Sequence, residues 1–269
     1  MNDERYPIAE EVRARIDATL EEIERTEGVT IFYACESGSR AWGFPSADSD
    51  YDVRFLYAHP VDHYFSIDVE AKRDVIERPI DDELDVSGWD IRKALGLLYK
   101  SNPPLLEWLD SPIIYHEDPT IVPDLRLLLP TYYAPRRAFY HYLHMAQGNY
   151  RSYLKGDLVR TKKYFYVLRP LLAINWIEQR IEPVPMTFAT LLDRLVGPGA
   201  LRDAVLALLA AKQERMEDAY GPRIEPIDDY ITSELARLEE VVEVSNSWSF
   251  FRQTNLFGKR YKVIHRRFL

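Results

Sequence analysis

A single cysteine, Cys35, stands among the 269 residues of the chain. One thiol closes no intramolecular disulfide and makes no zinc site by itself, and such sparing use of cysteine points to a reducing, cytoplasmic setting. Long apolar runs are equally scarce. No stretch approaches the roughly 18 uninterrupted apolar residues of a membrane span, and the first residues, MNDERYPIAEEV, place acids where a signal peptide has its apolar segment. There is no Walker A sequence, no Gly-x-Gly-x-x-Gly, no internal repeat and no low-complexity linker. Positive charge is also in deficit, with 34 Lys and Arg against 43 Asp and Glu, a net charge of −9. Taken as a total, that argues against a chain that coats nucleic acid.

What is present is unevenly distributed. Residues 1–100 hold 23 acids against 12 Lys and Arg, whereas residues 131–180 hold nine basic residues and two acids. Such a division suits carboxylates holding metal on one side of a cleft and cations meeting phosphate on the other. The hydrophobic pattern divides the chain too. Ile8, Val12, Ile16, Leu20 and Ile23 are spaced for an amphipathic helix over 7–27, stopped by Gly28. Strands are expected over 29–35, 51–57, 68–80 and 83–86, the last two around an Asp81-Asp82 turn. A helix capped by Asp90 follows and stops before Asn102-Pro103-Pro104. Helical periodicity then recurs over 119–129, 135–155, 158–181, 187–196, 199–219 and 226–245, punctuated by prolines and Gly156. This predicts an α+β unit with a small mixed sheet and flanking helices over 1–117, an all-α bundle over 118–246 and a separate tail over 247–269.

The stretch that carries chemistry is ESGSRAWGFPSADSDYDVRF, residues 36–55. Gly38-Ser39 ends a strand in a tight turn where the backbone can approach a ligand, and amides at the start of a helical turn suit phosphate oxygens. Asp50 and Asp52 are two residues apart on an expected strand and would share a face. Two carboxylates so close are costly unless a cation lies between them, and magnesium takes oxygen ligands of this kind. Asp85, between Leu84 and Val86 on a later strand, supplies a third acid. Three carboxylates from two strands beside a phosphate-binding turn describe a two-metal phosphoryl-transfer site. A solvated Asp-x-Asp pair is the bland alternative for either motif taken alone. Arg40 follows the turn and is placed to reach phosphate. For Arg54 two readings stand side by side: a cleft-facing cation, or an ion pair that keeps the acids apart.

This order of motifs resembles the DNA polymerase β-like nucleotidyltransferase superfamily. The wider context, with LDVSGWDIRKAL, KSNPPLLEWLDSPIIY, HYLHMAQGNYRSYL and VRTKKYFYVLRPLLAINWIE, is similar to its RNA-repair-pathway branch over about residues 30–182. The resemblance implies a nucleotidyltransferase fold over 1–117, two Mg2+ or Mn2+ ions held by Asp50, Asp52 and Asp85, and an NTP donor, ATP first. Gly38 and Ser39 would hold the β and γ phosphates, and Asp85 would help to take the proton of the acceptor hydroxyl. The reaction would be in-line attack of a hydroxyl on the α-phosphate with release of pyrophosphate, template-independent, with RNA 3′ ends as the first acceptor. A small-molecule or protein acceptor is the second enzyme reading, and a non-catalytic nucleotide- or partner-binding module the third.

Two basic segments complete the reading. Along 160–172, Lys162, Tyr166 and Arg169 form a stripe at helical spacing with Lys163 beside it, suited to triphosphate and base stacking, while Phe165, Leu168 and Leu172 face a core. The acid-free tail mixes Arg252, Lys259, Arg260 and Lys262 with Phe250, Phe251, Phe257 and Tyr261, a composition that fits single-stranded nucleic acid or a packed terminal strand. The pairs His59/His63 and His141/His144 lack a third ligand and read as structural or exposed, and Cys35 reads as a small buried hydrophobe.

Overall fold

The computed structural model describes residues 8–80, 83–180, 182–214 and 220–246; the Asp81-Asp82 turn and the basic aromatic tail over 247–269 lie outside the described residues. Helix α1 (Glu10–Glu27) buries Ile16, Leu20 and Ile23, three of the residues spaced for one face, and ends where Gly28 adopts φ +63° with its amide returned to the Glu24 carbonyl. The chain then forms β1 (Thr30–Glu36), the short helix α2 (Gly38–Trp42) and β2 (Tyr51–Ala58), antiparallel to β1. After α3 (Val61–Tyr64) come β3 (Val75–Glu77) and β4 (Leu84–Asp90). Strand β4 runs parallel to β2, and β3 lies antiparallel on the outer edge of β4. With β5 (Ile114–Glu117) antiparallel on the other side of β1, the sheet order is β3-β4-β2-β1-β5.

Both faces of the sheet are covered. On one, α1 packs with Val29, Ile31, Val53, Phe55, Tyr57 and Val86. On the other, Phe32, Cys35 and Leu56 join an apolar core that runs without a break into the helical part of the chain. Burial on both faces explains why β1 reads as a continuous apolar run and not as an alternating one. Gly88 is fixed by the same packing: a Cβ there would lie 2.2 Å from the Phe55 ring.

Helices α4 (Ile91–Tyr99) and α5 (Pro103–Leu109) link the sheet to α6 (Ile121–Tyr132), α7 (Pro135–Tyr153), α8 (Lys163–Arg180), α9 (Phe188–Leu195), α10 (Ala200–Glu214) and α11 (Glu225–Asn246). Asp90 caps α4 as expected, accepting from the Arg92 amide at 2.8 Å. Two expectations need correction, and two features go beyond them. Residues 68–74 are a bend with one 3-10 turn, and only Val75–Glu77 finds a strand partner. Asn102-Pro103-Pro104 opens α5 as well as following α4, because a proline at the first helical position forfeits only an amide that has no partner there. The edge strand β5 was not anticipated. Finally, α8 begins at Lys163, since Leu158–Arg160 instead forms strand β6, paired with β7 (Tyr220–Pro222). Among the described residues no helix is long and apolar enough to cross a membrane.

Candidate active site

Because β2 and β4 are parallel and in register, Asp52 lies opposite Asp85. Arg54, two residues along on the same strand, reaches both: its Nη2 lies 2.8 Å from Asp52 Oδ1 and 2.7 Å from Asp85 Oδ2. Its Nη1 donates to the Asp85 carbonyl at 2.9 Å. The ion-pair reading of Arg54 is thus the one the structure shows, and it places the guanidinium between two carboxylates of the sheet. Asp50 stands one residue before β2 and is exposed. The side chains of Asp52 and Asp85 retain 27% and 33% exposure, so this trio sits at an accessible edge and not in the core.

Gly38 brings the turn against these acids. Its φ is +58°, and a Cβ at this position would lie 1.9 Å from Asp52 Oδ2, so only glycine lets the turn and the carboxylate occupy adjacent space. Ser37 N–H donates to the Asp52 carbonyl at 2.8 Å, locking turn to strand. The Ser39 hydroxyl donates to Ser49 Oγ at 3.1 Å. Arg40, expected to reach outward, is buried: it donates to the Ser49 and Asp50 carbonyls at 2.8 and 3.3 Å and lies 3.8 Å from the Tyr51 ring centroid. Its charge anchors the loop that carries Asp50.

Beneath Asp52 lies Glu36, which the sequence reading did not single out. Its carboxylate accepts the Asp52 amide at 2.9 Å and the Tyr115 hydroxyl, and it has no exposed surface. Burial pushes its pKa up to about 7, opposed by those two hydrogen bonds. The available signal was an acid at the end of an otherwise apolar strand, just before Ser-Gly-Ser. Tyr115 itself comes from β5, the unanticipated strand.

The Lys-Tyr stretch adjoins the turn through aromatic contact. Tyr166 meets Trp42 of α2 edge-on with centroids 5.9 Å apart, and Lys163 Nζ lies over the Tyr153 and Tyr166 rings at 4.2 and 4.3 Å. Lys162 occupies the turn before α8. Arg169 departs from the expected exposed stripe. It is 1% exposed, pairs with Glu107 at 2.7 Å and donates to the Met186 carbonyl at 3.1 Å. Tyr142 donates to the same Glu107 oxygen at 2.8 Å. Helix α8 is buried nearly all round, so a pattern read as two faces is a core helix with one open end.

Lys212 of α10 was also missed; it is buried and donates to the Phe44 carbonyl at 3.0 Å. His59 and His63 stack on each other with centroids 3.7 Å apart. Among the described residues no group of three or more His, Cys, Asp or Glu stands assembled around a metal position. The carboxylate pair is nonetheless a hard, oxygen-only donor set with a cation already bridging it, and in that chemistry it fits a divalent magnesium-like ion.

Strand acids opposed across a parallel pair, beside a glycine turn and backed by helices, make an α+β arrangement, and the family match identifies it as a nucleotidyltransferase of the polymerase β type. The model of the RNA repair pathway DNA polymerase beta family matches residues 12–249, and the chain belongs to that family. A Bacillus subtilis (strain 168) protein, uncharacterized protein YcgL, is 49% identical over 232 residues, covering 86% of this chain and 88% of its own. A crystal structure of a nucleotidyltransferase-like protein from Exiguobacterium sibiricum 255-15 aligns with 86% of this chain and 74% of its own at 14% identity and a TM-score of 0.31.

Proposed function

We propose that this nucleotidyltransferase moves a nucleoside monophosphate from an NTP, ATP first, to a hydroxyl acceptor and releases pyrophosphate. The observation that carries the reading is the Asp52–Arg54–Asp85 trio set in register beside Gly38. Asp50, Asp52 and Asp85 would hold two Mg2+ or Mn2+ ions, which neutralise phosphate charge and lower the pKa of an attacking hydroxyl. Asp85 takes up the proton of that hydroxyl as it attacks the α-phosphorus in line with the departing pyrophosphate. Gly38 and Ser39 hold the β and γ phosphates, and Arg40 supports them from behind by fixing the Ser49-Asp50 carbonyls. Lys162 and Lys163 meet the triphosphate, and Tyr166, braced against Trp42, offers a ring to the base. Arg169 serves from the core by stacking on Trp42, 4.9 Å from its ring centroid.

RNA 3′ ends are the acceptor that the basic balance of residues 131–180 and the family's association with RNA repair support best. The test is incubation with Mg2+ and each radiolabelled NTP in turn, with and without an RNA panel. Label appearing in extended RNA, and falling about 10³-fold or more in Asp52→Asn and Asp85→Asn, is the expected result. Label on the protein or on a small molecule alone would move the acceptor to the second class. Full transfer by both variants would overturn the site.

A further inference from the structure

Lys212 is a buried cation that lies outside the carboxylate site. It comes from α10, is 6% exposed, and its Nζ lies 3.0 Å from the Phe44 carbonyl and 3.5 Å from Ser46 Oγ. Ser46 Oγ is 2.9 Å from Ser49 Oγ, which also accepts the Ser46 amide at 2.9 Å. Ser49 Oγ in turn meets the Ser39 hydroxyl at 3.1 Å. Ser46 and Ser49 have no exposed surface. A continuous line of polar groups therefore joins a lysine of the helical part to the hydroxyl of the Gly38-Ser39 turn.

Such a line can run in either direction, and a cation at one end favours one of them. A serine hydroxyl carries one proton and two lone pairs, whereas an ammonium carries protons only. Lys212 can only donate to Ser46, so the hydroxyls are able to pass their protons away from it, Ser46 to Ser49 and Ser49 to Ser39. The Ser39 proton is then available to an acceptor outside the line. Hydrogen bonds in series polarise one another, so each donation strengthens the next. Inward donation by Ser39, as the structure has it, and outward donation are two settings of the same rotors.

We propose that Lys212 is a positioning residue for the triphosphate: acting through Ser46 and Ser49, it turns the Ser39 hydroxyl proton outward onto a bound phosphate oxygen. This rests on the reading of Gly38-Ser39 as the phosphate turn. It also explains why Ser39 of α2 and Ser46 and Ser49 of the loop that follows sit together, where apolar residues would pack as well.

The experiment measures Mg-ATP affinity and steady-state kinetics for the full chain as wild type, Lys212→Met, Lys212→Arg, Ser46→Ala, Ser49→Ala and Lys212→Met/Ser49→Ala, with thermal melting beside each. Lys212→Met and Ser49→Ala should each weaken ATP about tenfold, the loss of one charge-assisted hydrogen bond. That loss should appear in KM while kcat changes by less than about threefold. The double variant should bind no more weakly than the worse single one, since both break the same line. Lys212→Arg, also a pure donor, should restore most of the affinity. Folded variants that bind ATP within about twofold of wild type, or losses that multiply in the double variant, would overturn the proposal. If Lys212→Met does not fold, Ser46→Ala and Ser49→Ala decide it alone. A wild-type protein that binds none of the four NTPs would overturn the nucleotide reading itself, an outcome distinct from equal binding by all variants.

Discussion

Arg54 occupies the gap between two carboxylates that face each other across adjacent strands, and much of the site's resting electrostatics follows from that one side chain. Without it, Asp52 and Asp85 would confront each other with no charge between them. Arg54→Met should therefore destabilise the chelated protein by about 2 kcal/mol, less than a fully buried pair because the acids are partly exposed. Added Mg2+ should recover more stability in the variant than in wild type, read by urea denaturation with and without EDTA. Equal responses to Mg2+ would separate the pair from the metal site. Glu36 makes a second residue-scale prediction. Burial raises its pKa from 4.5 to about 7, so between those values the folded protein holds a proton that the unfolded chain has released. Stability then falls as pH rises through that window and levels off above it. Glu36→Gln should remove this slope, gaining about 3 kcal/mol relative to wild type between pH 5 and pH 8 in chelated protein; parallel curves would contradict it. Sequence spacing was enough to nominate Asp52 and Asp85, because an acid inside a strand-like run announces itself. It was not enough for Glu36 or Lys212, whose significance lies in partners 79 and 168 residues away.

At the scale of elements, the turn from β1 through α2 to β2 brings the phosphate-binding candidates against the acids. Two glycines in it have positive φ, Gly38 at +58° and Gly43 at +89°, but only Gly38 has a neighbour within reach of an added Cβ. Alanine at either position should cost about 1–2 kcal/mol of stability through the left-handed backbone. Only Gly38→Ala should also displace Asp52 and lower nucleotidyl transfer about 10²-fold or more. Loss of transfer in both variants alike would show that backbone strain, and not the approach to Asp52, explains the glycine. Helices were readable wherever periodicity was long, as in α1, α7 and α11. The failures are local contests. Asn102-Pro103-Pro104 does follow the end of α4, and what one helix end does not announce is that proline also starts α5 by the same missing amide. Strand β5 exists because β1 offers it a partner, which four residues cannot announce. Helical spacing puts Arg169 on the triphosphate-facing stripe with Lys162 and Tyr166, because one helix read alone does not reveal that Glu107, Tyr142 and Trp42 surround it.

For the whole molecule, the net charge of −9 describes two populations of residues and not a uniformly acidic surface. Acids concentrate toward the sheet, where Asp52 and Asp85 already share a cation. The basic excess of residues 131–180 includes Lys163 over the Tyr166 ring and Arg169 in the core. An unbroken core links the sheet to the helices, so the two sides of the site are held to one another by packing. The most direct measurement of where metal and triphosphate bind is a crystal structure of the full chain with Mn2+ and a non-hydrolysable ATP analogue, using anomalous scattering to locate manganese. The predicted result is manganese density against the Asp52 and Asp85 carboxylates, with the β and γ phosphates at Gly38-Ser39 and Arg54 displaced from at least one acid. Manganese and nucleotide bound elsewhere, with Arg54 still bridging both carboxylates, would contradict it.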